Sequence, residues 1–186
     1  NANQQTTRRQ FVKASATLAV TGTALAAGSS SLTSAVHAAG GDVIKVGLIG
    51  CGGRGTGAAS QALQADKNVK LTAMADAFEN RLQLSLQSLQ RIEEVSDKLD
   101  VAADRQFVGF DAYKDLLATD VDVVLLTTPP HFRPIHLKAA IAAGKHVFAE
   151  KPVAVDAPGV RSVLETCAEA RRKGLSVVSG LCLRYD

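Results

Sequence analysis

Val43-Ile44-Lys45-Val46-Gly47-Leu48-Ile49, running into Gly50-Cys51-Gly52-Gly53-Arg54-Gly55, decides the fold. A short apolar run enters a glycine turn of the form G-x-G-x-x-G. A small-residue helix follows, then a second apolar run, Val69 to Ala75, ending on Asp76, 21 residues after Gly55. Each part has a physical task. Gly50 permits the tight turn, Gly52 lets backbone approach a pyrophosphate, and Gly55 lets helix pack on strand. N–H groups at the helix start would face the phosphates, where the helix dipole favours negative charge. Asp76 would accept hydrogen bonds from the adenosine-ribose hydroxyls and repel a 2′-phosphate, which favours NAD over NADP. Glycine turns also serve as plain connections. Here strand, turn, helix, second strand and terminal acid come in the order a dinucleotide fingerprint requires.

Downstream, strands and helices alternate. Leu82, Leu86, Leu89, Ile92, Val95 and Leu99 recur at steps of three and four, which predicts one helix from Glu79 to Asp100. Phe107 to Phe110 reads as a short strand, and Asp111 as the cap of a helix ending at Leu117. Val121 to Leu126 is the most apolar strand and leads into Thr127-Thr128-Pro129-Pro130-His131. Pro134 suits the first turn of the next helix and Gly144 its stop. His146 to Ala149 is a strand closed by Glu150-Lys151-Pro152. Asp156 and Pro158 open a helix with Val160, Val163, Leu164 and Cys167 on its apolar side; Gly174 ends it, and Leu175 to Leu183 is the last strand. Six strands alternating with helices predict an α/β fold, a doubly wound parallel sheet. In such sheets ligands bind beyond the carboxyl ends of the strands. The Gly50 turn, Asp76, Thr128-Pro129 and Glu150-Lys151-Pro152 all fall there.

Composition narrows the function. The whole formal excess of +3 sits on Arg8, Arg9 and Lys13, and the remainder of the chain balances, so nothing suggests a nucleic-acid surface. Cys51, Cys167 and Cys182 are too scattered for a disulfide framework. Cys167 and Cys182 read as buried thiols. Cys51, in the phosphate turn, reads as a small residue that fits, although N–H groups at a helix start could lower its pKa. No metal-ligand cluster stands out.

Thr7-Arg8-Arg9-Gln10-Phe11-Val12-Lys13 resembles the twin-arginine export motif. A mildly apolar stretch, Ala14 to Ala27, follows, and Val36-His37-Ala38 offers a signal-peptidase site. Residues 1–38 are therefore expected to be a twin-arginine signal, read by the export machinery and sending the protein to the periplasm. The apolar stretch is too short for a membrane anchor. Free nicotinamide cofactor is scarce outside the cytoplasm, so the protein is expected to be loaded before export and to hold its cofactor tightly.

Three segments together resemble the family of glucose–fructose oxidoreductase, inositol dehydrogenase and MocA. They are Gly-Leu-Ile-Gly-Cys-Gly-Gly-Arg-Gly (47–55), Thr-Pro-Pro (128–130) and Ala-Gly-Lys-His-Val-Phe-Ala-Glu-Lys-Pro (143–152). The resemblance runs from about Val43 to Arg184. It implies a Rossmann domain at residues 42–183, with residues 184–186 beginning a separate α+β substrate domain that this chain lacks. By the same resemblance Gly50, Cys51, Gly52, Gly53, Arg54 and Gly55 hold the pyrophosphate, and Asp76 the adenosine ribose. Thr128, Pro129 and His131 line the nicotinamide side, with Glu150 and Lys151 beside the nicotinamide ribose and substrate. A cis Lys151–Pro152 bond is implied, as is an arginine near the substrate at Arg184. Lys151 is the candidate catalytic residue, polarising the oxygen of the reacting carbon. The chain departs from the family at Pro130 and Arg133, where Asn and His are common. His136 and His146 read as structural.

The implied activity is that of an NAD-dependent oxidoreductase acting on a hydroxyl-bearing carbon of a sugar, inositol or sugar acid, homo-oligomeric when full length. Two alternatives remain: an NAD-dependent glycosidase working by transient oxidation, and a dinucleotide-binding module without catalysis.

Overall fold

A computed structural model describes residues 42–181. The twin-arginine segment, Cys182 and Arg184 lie outside the described residues.

Six parallel strands form one sheet in the order β3-β2-β1-β4-β5-β6. They are β1 (Ile44–Ile49), β2 (Val69–Asp76), β3 (Gln106–Val108), β4 (Val123–Leu126), β5 (His146–Ala149) and β6 (Val177–Ser179). The order reverses between β1 and β4, where Val46 to Ile49 register against Val123 to Leu126. Loops leaving these two strands turn to opposite sides, which opens a crevice at their carboxyl ends. The central strands are mostly apolar because helices cover both faces.

On one face lie α1 (Gly53–Ala65), α2 (Glu79–Gln90) and the short α3 (Glu93–Ser96). Their buried Leu63, Leu82, Leu89 and Val95 meet Leu48, Leu71 and Met74 of the sheet. On the other lie α4 (Ala112–Leu117), α5 (Arg133–Ala142) and α6 (Ala157–Arg172). There Leu116, Leu137, Ile141 and Val163 close over Ile49, Val124, Leu126 and Val147. Each fully buried aliphatic side chain contributes about 1.5–3 kcal/mol.

The helix expected over Glu79–Asp100 is instead two helices, broken at Arg91 and Ile92. A 22-residue helix would be ~33 Å long, against ~26 Å for the eight-residue β2 beneath it. The chain turns before overrunning the sheet, and Leu99 bridges Leu71 as extended backbone. Val95 is fully buried despite the break, so the apolar spacing reflects burial and not one continuous helix.

Three other expectations need correcting. β3 ends at Val108, because Gly109 takes φ 123° and turns Phe110 out of the sheet. Asp111 precedes α4 but its side chain does not cap it; the carboxylate pairs with Lys114 at 2.8 Å. On α6, Val160 and Leu164 are exposed, and the buried line is Val163, Thr166 and Ala170. Thr166 can be buried because its hydroxyl donates to Ser162 O at 2.8 Å, leaving no stranded polar atom.

No helix among the described residues is long and apolar enough to cross a membrane.

Candidate functional site

Backbone hydrogen bonds step along the carboxyl edge of the sheet. Gly50 N–H donates to Ala75 O (2.8 Å), Thr127 N–H to Ile49 O (2.9 Å) and Glu150 N–H to Leu126 O (2.9 Å). Each pair holds the first residue of one loop to the end of a neighbouring strand. The sequence-predicted segments therefore share one edge.

Glycines do different work within the turn. Gly50 sits at φ 101°, and a Cβ there would lie 2.6 Å from Thr128 N, so only glycine fits. At Gly55 a Cβ would come within 1.9 Å of Gly50 O, which is the close approach of helix to strand. At Gly52 and Gly53 a Cβ would meet nothing within 4 Å. The space beside them is free for a ligand. α1 begins with no side-chain cap and no acid in its first turn, so its leading N–H groups have no side-chain acceptor. That is the electrostatic arrangement a pyrophosphate fits.

Asp76 closes β2 with both oxygens engaged, Oδ2 accepting from Cys51 N–H (2.6 Å) and Oδ1 from Phe78 N–H (2.9 Å). Each carboxylate oxygen keeps a second lone pair for a hydroxyl donor. Cys51 behaves as the small residue that fits. Its thiol is buried and donates to Ala75 O at 3.5 Å. Burial, then the Asp76 charge, push its pKa up, opposite to activation by a helix start.

Two clefts flank the crossing of β1 and β4, and Thr127 and Thr128 line both. The first, about 400 Å³, lies on the β2 side among Gly52, Asp76, Phe78, Arg81, Phe110 and Phe132. The second, about 760 Å³, lies on the β5 side among Arg54, Arg133, Glu150, Lys151 and Ser179. Glu150 is buried there and binds Arg54 Nε at 2.6 Å, joining the glycine turn to the end of β5. Lys151 is exposed at the rim, and the Lys151–Pro152 peptide is cis. Pro129 and His131 are exposed on the turn after β4, the His131 ring edge-on to Phe132 at 5.5 Å.

Two residues support that turn from behind: Arg133, read only as a departure from the family pattern, and His136, read as structural. Arg133 is 1% exposed; its guanidinium donates to Leu126 O and, at 2.8 Å, to Thr128 O, while Nε has no partner. Burial pulls its pKa down. His136 hydrogen-bonds Thr128 Oγ1 through Nδ1 (3.2 Å) and lies between Tyr113 and Phe132, ring centroids at 4.3 and 5.8 Å. Burial, then the Arg133 charge, lower its pKa to about 4, so it is neutral at pH 7. The departure of Arg133 from the resemblance was the available signal. Its burial was not legible, since arginine is rarely fully buried. No cluster of three or more metal-ligating side chains occurs among the described residues.

The family described as oxidoreductase, NAD-binding Rossmann fold, matches residues 44–179. A glycosyl hydrolase family 109 protein 2 of Shewanella sp. (strain ANA-3) is 31% identical over 96% of this chain and 40% of its own length. Inositol 2-dehydrogenase of Agrobacterium fabrum is also 31% identical, over 77% of this chain and 38% of its own length. The chain thus spans about 40% of the length of such relatives. Among solved structures, an NAD binding oxidoreductase from Klebsiella pneumoniae superposes with TM-score 0.55 at 27% identity, covering 74% of this chain and 34% of that one. A scyllo-inositol dehydrogenase from Lactobacillus casei with bound NAD(H) and scyllo-inositol shares the fold, with TM-score 0.59 at 23% identity, over 78% and 38% of the two chains.

Proposed function

From the premise that the chain belongs to this oxidoreductase family with its NAD-binding Rossmann fold, we propose that it is the cofactor-holding part of an exported NAD-dependent dehydrogenase of a sugar, inositol or sugar acid. One observation carries the reading. Two clefts meet across the β1/β4 crossing, at an uncapped helix start whose Gly52 and Gly53 leave room for a pyrophosphate.

Gly50 makes the turn, Gly52, Gly53 and Gly55 present backbone N–H groups to the two phosphates, and Arg54 adds a cation beside them. Asp76 accepts from the adenosine-ribose hydroxyls and disfavours a 2′-phosphate, so NAD is the expected cofactor over NADP. A nicotinamide held here would supply the hydride acceptor for the hydroxyl-bearing carbon. Thr128, Pro129 and His131 wall the nicotinamide side. Glu150 sits beside the nicotinamide ribose, its charge held in place by Arg54. Lys151 donates a hydrogen bond to the reacting oxygen and stabilises the charge that grows there. A base on a substrate domain takes the hydroxyl proton, and Arg184 is the proposed substrate arginine. The full-length protein is proposed to be a homo-oligomer, sent to the periplasm by the segment Thr7–Lys13.

Calorimetry and mass spectrometry of the purified chain test the cofactor. Micromolar or tighter binding of NAD, with NADP at least ~10-fold weaker, is expected; no affinity for either would overturn the reading. In the full-length protein Lys151→Ala is expected to lower polyol oxidation ~100-fold or more while NAD affinity holds within a few-fold. Unchanged oxidation would remove Lys151 from the chemistry.

The relatives described as glycosyl hydrolase family 109 favour a second reading, a glycosidase that oxidises its sugar transiently. Nitrophenyl glycosides separate the two, since only the glycosidase releases phenol without net reduction of cofactor. Cell fractionation tests export: Arg8→Lys with Arg9→Lys is expected to leave the protein in the cytoplasm.

A further inference from the structure

Among the described residues Arg133 is the only lysine or arginine that is buried. Its setting does not suit a cation. Arg133 opens α5, at the end where the helix dipole is itself positive. Two of its nitrogens bond the carbonyls of Leu126 and Thr128, and Nε has no partner. Glu150 lines the same cleft, but both its oxygens are engaged, Oε1 by Arg54 Nε (2.6 Å) and Oε2 by Lys151 N–H (3.1 Å). A buried charge without a counter-charge is expensive, and a guanidinium cannot escape by giving up its proton. A cation kept at such a cost needs an explanation.

The charge lies where the proposed chemistry changes charge. Arg133 lines the β5-side cleft with Thr128, Glu150 and Lys151, and its guanidinium bonds the carbonyl of Thr128, in the wall assigned above to the nicotinamide. An oxidised nicotinamide ring is cationic; taking a hydride from the hydroxyl-bearing carbon makes it neutral. Lys151 and Arg54 are exposed, so water and salt screen them, and Arg54 and Glu150 offset one another. Arg133 is neither screened nor offset. At an effective dielectric of about 20, two unit charges about 10 Å apart change an equilibrium roughly 15-fold.

We propose that Arg133 is a fixed cation that makes this cleft discriminate between the oxidation states of a nicotinamide, holding the neutral ring of NADH more tightly than the cationic ring of NAD+. The inference rests on the dinucleotide reading above and adds a consequence which that reading lacks. Arg133 touches no reacting atom. It acts through its charge, pulling the equilibrium on the protein toward reduced cofactor and oxidised substrate.

Calorimetry on the purified chain, titrated separately with NAD+ and with NADH, tests it. The parent is expected to bind NADH ~10-fold or more tightly than NAD+. Arg133→Met and Arg133→Gln both remove the charge, and Gln keeps a donor for the Thr128 carbonyl. Each is expected to cut the ratio of the two affinities ~10-fold, equal to ~30 mV in the potential of the bound couple. A purely structural role would weaken both oxidation states alike and leave the ratio where it was. A neutral variant that keeps the parent's ratio therefore overturns this inference and leaves the dinucleotide reading standing. So does a parent that holds NAD+ at least as tightly as NADH, a result that needs no variant to fold. A parent chain that binds neither form overturns both.

Discussion

Gly52 and Gly55 stand three residues apart in one turn and respond to an added methyl group in opposite ways. At Gly55 the methyl would meet backbone, Gly50 O at 1.9 Å, which cannot swing aside. Gly55→Ala is expected to cost at least about 3 kcal/mol, the upper end of overpacking penalties, seen as a lowered urea midpoint. At Gly52 the methyl points into open space at an ordinary φ of −73°. Gly52→Ala should keep stability within about 0.5 kcal/mol yet weaken NAD by ~10-fold or more, because the lost space is the ligand's. The same comparison separates a glycine kept for the fold from one kept for function. His136 gives a second residue-level expectation. Its folded pKa of about 4 lies below the unfolded value near 6.5, so the unfolded chain takes up the proton first. The contribution is fully present above pH 6.5 and is lost as pH falls through 4, amounting to at most about 3 kcal/mol. Urea titrations of the parent and of His136→Phe across this window check the sign, since the variant should lose that part of the slope.

Helices and strands were legible where a local chemical reason fixed them. α6 starts where Asp156 caps it, the carboxylate accepting from Gly159 N–H at 2.7 Å. Asp156→Ala is expected to cost about 1 kcal/mol, measured as a shift in the thermal midpoint. Gly144 and Gly174 follow the ends of α5 and α6 at φ 74° and 69°, where a left-handed residue was expected. Legibility failed where spacing had two causes. The leucine period from Leu82 to Leu99 arises from a helix in its first part and from burial against β2 in its second. Val160 and Leu164 share an apolar spacing with Val163, but the packing of α6 selects Thr166 and Ala170 instead. Pattern alone could not anticipate that, because threonine reads as polar until its hydroxyl is satisfied inside its own helix. The gathering of phenylalanines along the β2-side cleft was harder still. Phe78, Phe110 and Phe132 share no period, and only the strand order brings β2, β3 and β4 close enough to join them.

At the scale of the molecule, the strand order determines where a ligand can lie, and binding there should be felt by the whole sheet. A dinucleotide spanning both clefts touches loops from four strands, so it should stabilise the domain as one body. At 100 times its dissociation constant the expected gain is about 2.7 kcal/mol, which for a domain of this size raises the melting temperature by roughly 9 °C. A melting temperature indifferent to saturating NAD would mean that the clefts are not the seat of binding. The glycine turn, Asp76 and Glu150-Lys151 were recognisable along the chain because their chemistry is local. The embedding of Arg133 behind Thr128 was not, because it depends on how α5 leaves β4.

One contact sets how these parts answer to one another. Gly50 and Thr128 touch main chain to main chain, with less room than a single carbon atom between them. Nothing compressible separates the bend leaving the first strand from the bend leaving the fourth. A displacement of the first bend would therefore press directly on the second, and the two halves of the sheet are expected to yield together.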